Sequence, residues 1–283
     1  MDSSAVERPL LTYILLGLNI GLFLIQMLLG VNPLKPQSAD LILWGANIAP
    51  FTLTGQSWRL FTCMFLHLGI VHLALNMTVL ASIGPVAERY FGRVNFLIIY
   101  ILAGLAASEV SAIWFGQPHL GNESTLGMAV PHLKQAYSAG ASAALIGLAT
   151  ALLAAHYLRQ LWQKTPEPEG INMRLLMLLL FVDMGIGFVI PNVDNLGHIT
   201  GAIVGACLGG GLVFYCNTPP SAQRLGQIGV VLIASGFGTW VWPHQSKDPA
   251  LLQLRQQLEV SRQGPAKHRL PSPVLPQRQG NSI

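Results

Sequence analysis

Apolar residues run along this chain in long blocks with short polar punctuation between them. The blocks cover 10–30, 60–87, 94–115, 139–158, 175–190 and 196–216, with a weaker one at 225–242. A helix that crosses the hydrocarbon core of a bilayer needs roughly 20 mostly apolar residues, and the blocks approach or exceed that length. The first, second, fourth and sixth hold no Asp, Glu, Lys or Arg, the third holds only Glu109, and the fifth only Asp183. The pattern predicts six membrane helices plus a seventh, an all-α polytopic membrane protein. The first block is longer than a signal-peptide core and no small-residue cleavage site follows it, so it reads as a retained helix. The organisation that follows is a short polar start (1–9), a six-helix core (10–217), an additional helix (224–242) and a polar tail (243–283). Within the tail, 251–260 carries the pattern of a short surface helix. The remainder has little apolar periodicity and reads as flexible.

Composition sharpens the picture. Only 10% of the 283 residues are charged and 52% are hydrophobic. A soluble globular chain carries about 25% charged residues, so there is too little charge here to wet a soluble surface. Disorder over most of the chain, a coiled coil and a disulfide scaffold are excluded. The net charge of +4 is scattered, with no basic stripe, so a nucleic-acid partner has no support. Cys63, Cys207 and Cys216 lie in apolar stretches without CxxC or zinc-ligand spacing, and read as small buried hydrophobes. With the N-terminus inside, Arg8, Arg89, Arg93, Arg159, Lys164, Arg174 and Arg224 face the inner side, against Lys35, Arg59 and Lys134 outside. That bias sets the N-terminus in the cytoplasm, and seven helices then leave the tail outside.

Polar residues inside a membrane are costly, so each one is informative. The second block contains His67, His72 and Asn76, the last two one turn apart on one helix face. No carboxylate stands at ligand spacing here, so metal chemistry is disfavoured against polar contacts between helices. The fourth block opens Ser138-Ala-Gly140-Ala-Ser142, which sets Ser142 in a first helical turn whose backbone amides lack intrahelical partners. The sixth opens Asn192-Val-Asp194-Asn-Leu-Gly-His198, and His198, Gly201, Gly205 and Gly209 share one narrow stripe. Such glycines let a second helix approach closely, and Ala143, Gly147 and Ala151 give the fourth helix a matching small face.

In the predicted topology helices two, four and six all run inward from the outer face. Ser142 and His198 then lie at the same shallow depth, with His72 and Asn76 in the outer half of helix two. A serine needs a base to become a nucleophile, and His198 is the candidate base. Acyl transfer also needs donors for the developing oxyanion, which His72, Asn76 and the Ser142 amide can supply. Asp194 sits at the entry of the sixth helix, where a cap is the expected role. The set therefore reads as a Ser–His dyad without an acid, needing no cofactor and no metal.

Taken together, these residues resemble the rhomboid family of intramembrane serine proteases. The matching pieces are Ser57-Trp58-Arg59, His67 followed by His72 and Asn76, Glu88, Gly140-Ala-Ser142, and Asn192 through His198 to Gly201, over 57–209. The extra C-terminal helix resembles the six-plus-one form found in bacteria. The resemblance implies Ser142 as nucleophile, His198 as general base and acid, and His72 with Asn76 at the oxyanion. It implies Arg59 and Glu88 as supports of the first outer loop (31–57), with that loop partly in the membrane and helix five as a lateral gate. It also implies single-pass transmembrane proteins as substrates, cut near the outer face, and the plasma membrane of a bacterium as the location. Two positions depart from the family pattern: Ala143 replaces the glycine usual after the serine, and Ile146 replaces an aromatic residue under the histidine ring.

Two other classes compete. An inactive relative that binds membrane clients is expected to have lost Ser142 or His198, and both are present. A transporter relaying ions through Glu109 and Asp183 needs paired charges or inverted repeats, and the sequence shows neither.

Overall fold

The computed structural model describes residues 8–116, 137–163, 194–216 and 246–263, with isolated positions between 174 and 185. Helix α1 (Leu10–Leu28) buries Thr12, Leu15, Asn19, Phe23 and Gln26, a stripe at helical spacing that packs on α5. Its other faces expose Leu18, Leu24 and Ile25. Hydrocarbon, not water, is the solvent in which such a surface costs nothing.

A connection then carries α2 (Ser38–Trp44), the short strand β1 (Asn47–Ile48), α3 (Ala49–Thr52), α4 (Arg59–Thr62) and a 3-10 turn at Cys63–Phe65. Helix α5 (Ile70–Phe115) has 46 residues, about 69 Å at the α-helical rise. That is more than twice the roughly 30 Å of a hydrocarbon core, so it supplies two crossings. The break is Gly92, whose φ of 76° leaves the helical region, and its two arms correspond to the second and third predicted spans.

The second span differs from expectation at its start. The helix begins at Ile70 rather than near residue 60, and His67 lies in the connection before it. Gly69, at φ +126°, turns the chain, and the Ile70 amide donates to the Pro33 carbonyl at 2.7 Å. Hydrophobicity marks residues 60–66 as buried, but only this turn determines where the helix axis begins.

Helices α6 (Ser142–Gln163) and α7 (Asn195–Cys216) form the tightest pair. A Cβ on Gly201 would overlap the Ala143 carbonyl oxygen, one on Gly205 that of Gly147, and one on Gly209 that of Ala151. Thr150 Oγ1 donates to the Ala202 carbonyl at 2.9 Å, tying the helices together. The glycine stripe is thus a backbone-to-backbone contact, as its spacing predicts. Cys63 is buried as expected, but Cys207 is exposed, because it lies on the face of α7 away from this contact.

Strand β2 (Tyr137–Ser138) leads into α6 and pairs antiparallel with β1, Asn47 opposite Ser138 and Ile48 opposite Tyr137. Helix α8 (Pro249–Gln263) covers the short surface helix predicted in the tail. Its Leu254 and Leu258 pack on Ile42, Ile48 and Phe51 of the first connection. Among the described residues, four helices are long and apolar enough to cross a membrane: α1, α5, most of α6 and most of α7. The predicted span 175–190, apart from isolated positions, and the predicted seventh helix at 225–242 lie outside the described residues.

Candidate active site

Ser142 opens α6, reached through β2 and Gly140. Gly140 has φ +143°, open to glycine and strained for other residues. It also has no room for a side chain: a Cβ there would stand 2.8 Å from His72 Cε1. The Gly140 amide donates to the Cys63 carbonyl at 2.9 Å, which anchors the turn beneath the serine. His198 stands in the first turn of α7, its amide donating to the Asp194 carbonyl at 3.0 Å. Asp194 Oδ1 accepts from the Gly197 amide at 2.9 Å and Oδ2 from Ser111 Oγ at 2.5 Å. Asp194 therefore caps α7 and joins it to the third span, the role its position predicts.

The close α6–α7 contact brings Ser142 Oγ to 2.7 Å from His198 Nε2. This is hydrogen-bond distance between a hydroxyl and a ring nitrogen. His198 is buried and Ser142 half-buried. On the other side, His72 Nδ1 accepts the Leu68 amide at 3.2 Å. The neutral ring then carries its proton on Nε2, on the side of the ring that neighbours Gly140. Asn76 is buried and donates through Nδ2 to the His72 carbonyl at 3.1 Å, so its amide is turned onto its own helix. It nonetheless lines the same cleft as Ser142, together with Val79, Ile83, Ile146 and Leu180. His67 is buried, 5.3 Å from His72 between ring centroids and edge-on to it. Among the described residues no group of His, Cys, Asp and Glu is suited to a metal ion.

The two expected supports act at opposite ends of the molecule. Arg59 is fully buried and donates through Nη1 to the Ile42 and Ala46 carbonyls at 2.7 and 3.0 Å. Its Nε donates to Gln56 Oε1 at 2.7 Å, and Phe51 and Trp58 lie against the guanidinium. It fastens the connection between α1 and α5 around the start of α4. Glu88 does not. Its carboxylate accepts the amides of Leu11 and Thr12 and the Thr12 hydroxyl, at 2.8–2.9 Å. Negative charge at the first turn of a helix meets unpaired N–H groups and the positive end of the helix dipole. Glu88 thus supports the start of α1, about 24 Å along its helix from His72.

Asn47 was not visible as a site residue from the sequence. Its Nδ2 donates to the Ser108 carbonyl at 2.6 Å and to Ser138 Oγ at 3.2 Å, while its Oδ1 accepts from Thr52 at 2.7 Å. It stitches the connection between α1 and α5 to both the second arm of α5 and the strand that leads to Ser142. A polar residue in a loop carries no periodic signal that would reveal such a role.

Residues 54–214 match the family profile described as a Rhomboid domain. The chain is 32% identical over 242 residues to rhomboid protease AarA of Providencia stuartii, covering 81% of this chain and 80% of that protein. It is 34% identical over 199 residues to rhomboid protease GluP of Bacillus subtilis, covering 70% of this chain and 34% of GluP. RHOMBOID-like protein 7 of Arabidopsis thaliana is 33% identical over 182 residues, covering 64% of this chain and 50% of that protein. The profile spans more than half of the chain and the match to AarA runs along most of both proteins, so the chain belongs to the rhomboid family.

Proposed function

We propose that this protein is an intramembrane serine endopeptidase that cuts single-pass transmembrane proteins near the outer membrane face. The observation that carries the reading is the 2.7 Å contact between Ser142 Oγ and His198 Nε2. Ser142 Oγ attacks the scissile carbonyl carbon while His198 Nε2 takes the hydroxyl proton. The oxyanion is met by the Nε2–H of His72, the Ser142 amide and, once it turns from the His72 carbonyl, the Asn76 amide. Collapse breaks the C–N bond, and the proton on His198 passes to the leaving amine. Water then attacks the acyl carbonyl while His198 takes its proton, the acyl C–Oγ bond breaks as that proton returns to Ser142 Oγ, and the carboxylate product leaves. Asp194 is engaged as a helix cap, so the chemistry runs on a dyad.

The substrate must present an extended segment, because a helix hides its carbonyls in its own hydrogen bonds. The cleft beside Ser142 is lined by Val79 and Ile83 of α5 and by Leu176 and Leu180 of the predicted span 175–190, which supports lateral entry past that span. The reading places the N-terminus in the cytoplasm of a bacterium, the six-helix core over 10–217, and the active site open to the outer side. The docking of α8 on the outer loop is the position that a further crossing at 224–242 would produce. The presence of both dyad residues argues against an inactive client-binding relative.

The test is reconstitution in liposomes with a single-pass substrate. Wild type is expected to cleave, Ser142→Ala and His198→Ala to fall to background, and a chelator to leave cleavage unchanged. Cleavage persisting in either variant would overturn the dyad.

A further inference from the structure

The tail helix α8 is docked where it can act on the active site. Its Leu254 and Leu258 cover Ile48 and Phe51, which are almost completely buried. Arg255 Nη1 donates to the Thr54 carbonyl at 2.7 Å and to Thr54 Oγ1 at 3.1 Å, and Glu259 at 2.9 Å from Arg255 Nε aims the guanidinium. The Ser246 amide donates to the Leu53 carbonyl at 2.6 Å. Leu53 and Thr54 follow α3, so these contacts fasten α8 to the chain just past the end of α3.

From α3 the connection to the serine is short. The first residue of α3, Ala49, follows β1, and β1 pairs with β2. Asn47, in β1, binds both Thr52 of α3 and Ser138 of β2. Two residues beyond Ser138 is Gly140, and two beyond that is Ser142.

We propose that α8 is a positioning element for the active site, with Arg255 and Leu258 as its positioning residues. They hold α3 and β1 in place, and β1 in turn holds the strand that presents Gly140 and Ser142. The inference rests on Ser142 being the nucleophile, and goes beyond it in making a C-terminal helix part of the machinery outside the matched domain.

The experiment uses the full chain in liposomes with Arg255→Ala, Arg255→Lys, Leu258→Asp and the exposed control Gln257→Ala. Three quantities are read: the rate of Ser142 labelling by a fluorophosphonate, kcat and KM on a transmembrane substrate, and amide exchange over 45–54 and 137–142. Arg255→Ala and Leu258→Asp are expected to slow labelling and lower kcat roughly tenfold, the scale on which small misplacements act. KM and the unfolding temperature of the bundle should move little. Exchange should quicken in both segments, Arg255→Lys should recover part of each effect, and Gln257→Ala should match wild type. Wild-type labelling and exchange in Arg255→Ala and Leu258→Asp overturn the proposal, as does faster exchange confined to 45–54. Failure of the wild type itself to label at Ser142 overturns the protease reading instead, and exchange over 137–142 still decides whether α8 positions the strand.

Discussion

Gly201 lies with its bare Cα against the carbonyl oxygen of Ala143, the residue that follows Ser142. Four residues on, Gly205 repeats the contact with Gly147. These two contacts set the separation of α6 and α7, and so the distance across which His198 reaches the serine. A methyl at either glycine has only backbone to push against. Gly201→Ala and Gly205→Ala are each expected to destabilise by about 1–3 kcal/mol through overpacking. Fluorophosphonate labelling should fall roughly tenfold as the dyad opens. Gly211→Ala, on the same helix but facing open space, should change neither. Thermal unfolding and labelling rates measured on the three variants decide this.

Gly140 makes a different demand. Its φ of +143° costs other residues about 1–3 kcal/mol, and a Cβ would strike the His72 ring. On the proposed function, Gly140→Ala should therefore reduce labelling and turnover far more than it lowers the unfolding temperature, because the damage falls between His72 and Ser142. Equal activity in Gly140→Ala and wild type would show that His72 has room to move aside.

Arg59→Lys separates charge from geometry. One ammonium cannot reach the Ile42 and Ala46 carbonyls and Gln56 in the fork that the guanidinium makes. Leaving buried carbonyls unpaired costs about 1–3 kcal/mol each. The variant should show faster proteolysis within 37–57 and a lower unfolding temperature, and limited digestion followed by mass spectrometry would locate the cuts.

Glu88→Gln tests the opposite end of the bundle. The amide keeps an acceptor but loses the charge that faces the first turn of α1, an interaction of about 1–2 kcal/mol with its charge-assisted bonds. The unfolding temperature should fall, and activity should fall only in step with the folded fraction. A selective loss of kcat at low temperature would instead tie Glu88 to the outer site.

Much of the candidate site is legible in the sequence. Ser142 and His198 stand out because polar groups are scarce in these spans, and the predicted topology alone sets them at one depth. The glycine stripe of α7 declares a close helix contact for a similarly local reason, since every fourth residue is small. His67 falls before the second span rather than on it; hydrophobicity is continuous from residue 60, and only the φ of Gly69 breaks it. Glu88 meets the start of α1 rather than the first loop, because a carboxylate after a helix shows what it can accept and not which amides will reach it.

By itself the sequence determines the solvent of this protein, its long apolar blocks, and which polar residues are scarce enough within them to stand out. Those properties are read from neighbours three, four or twenty positions apart. Only the tertiary structure decides that Thr12 closes on Glu88, that Asn47 meets Ser138, and that Arg255 returns across 201 positions to Thr54. Each of these pairs joins common polar residues with no periodicity between them, and which ones meet depends on how the faces of separate helices and loops come together.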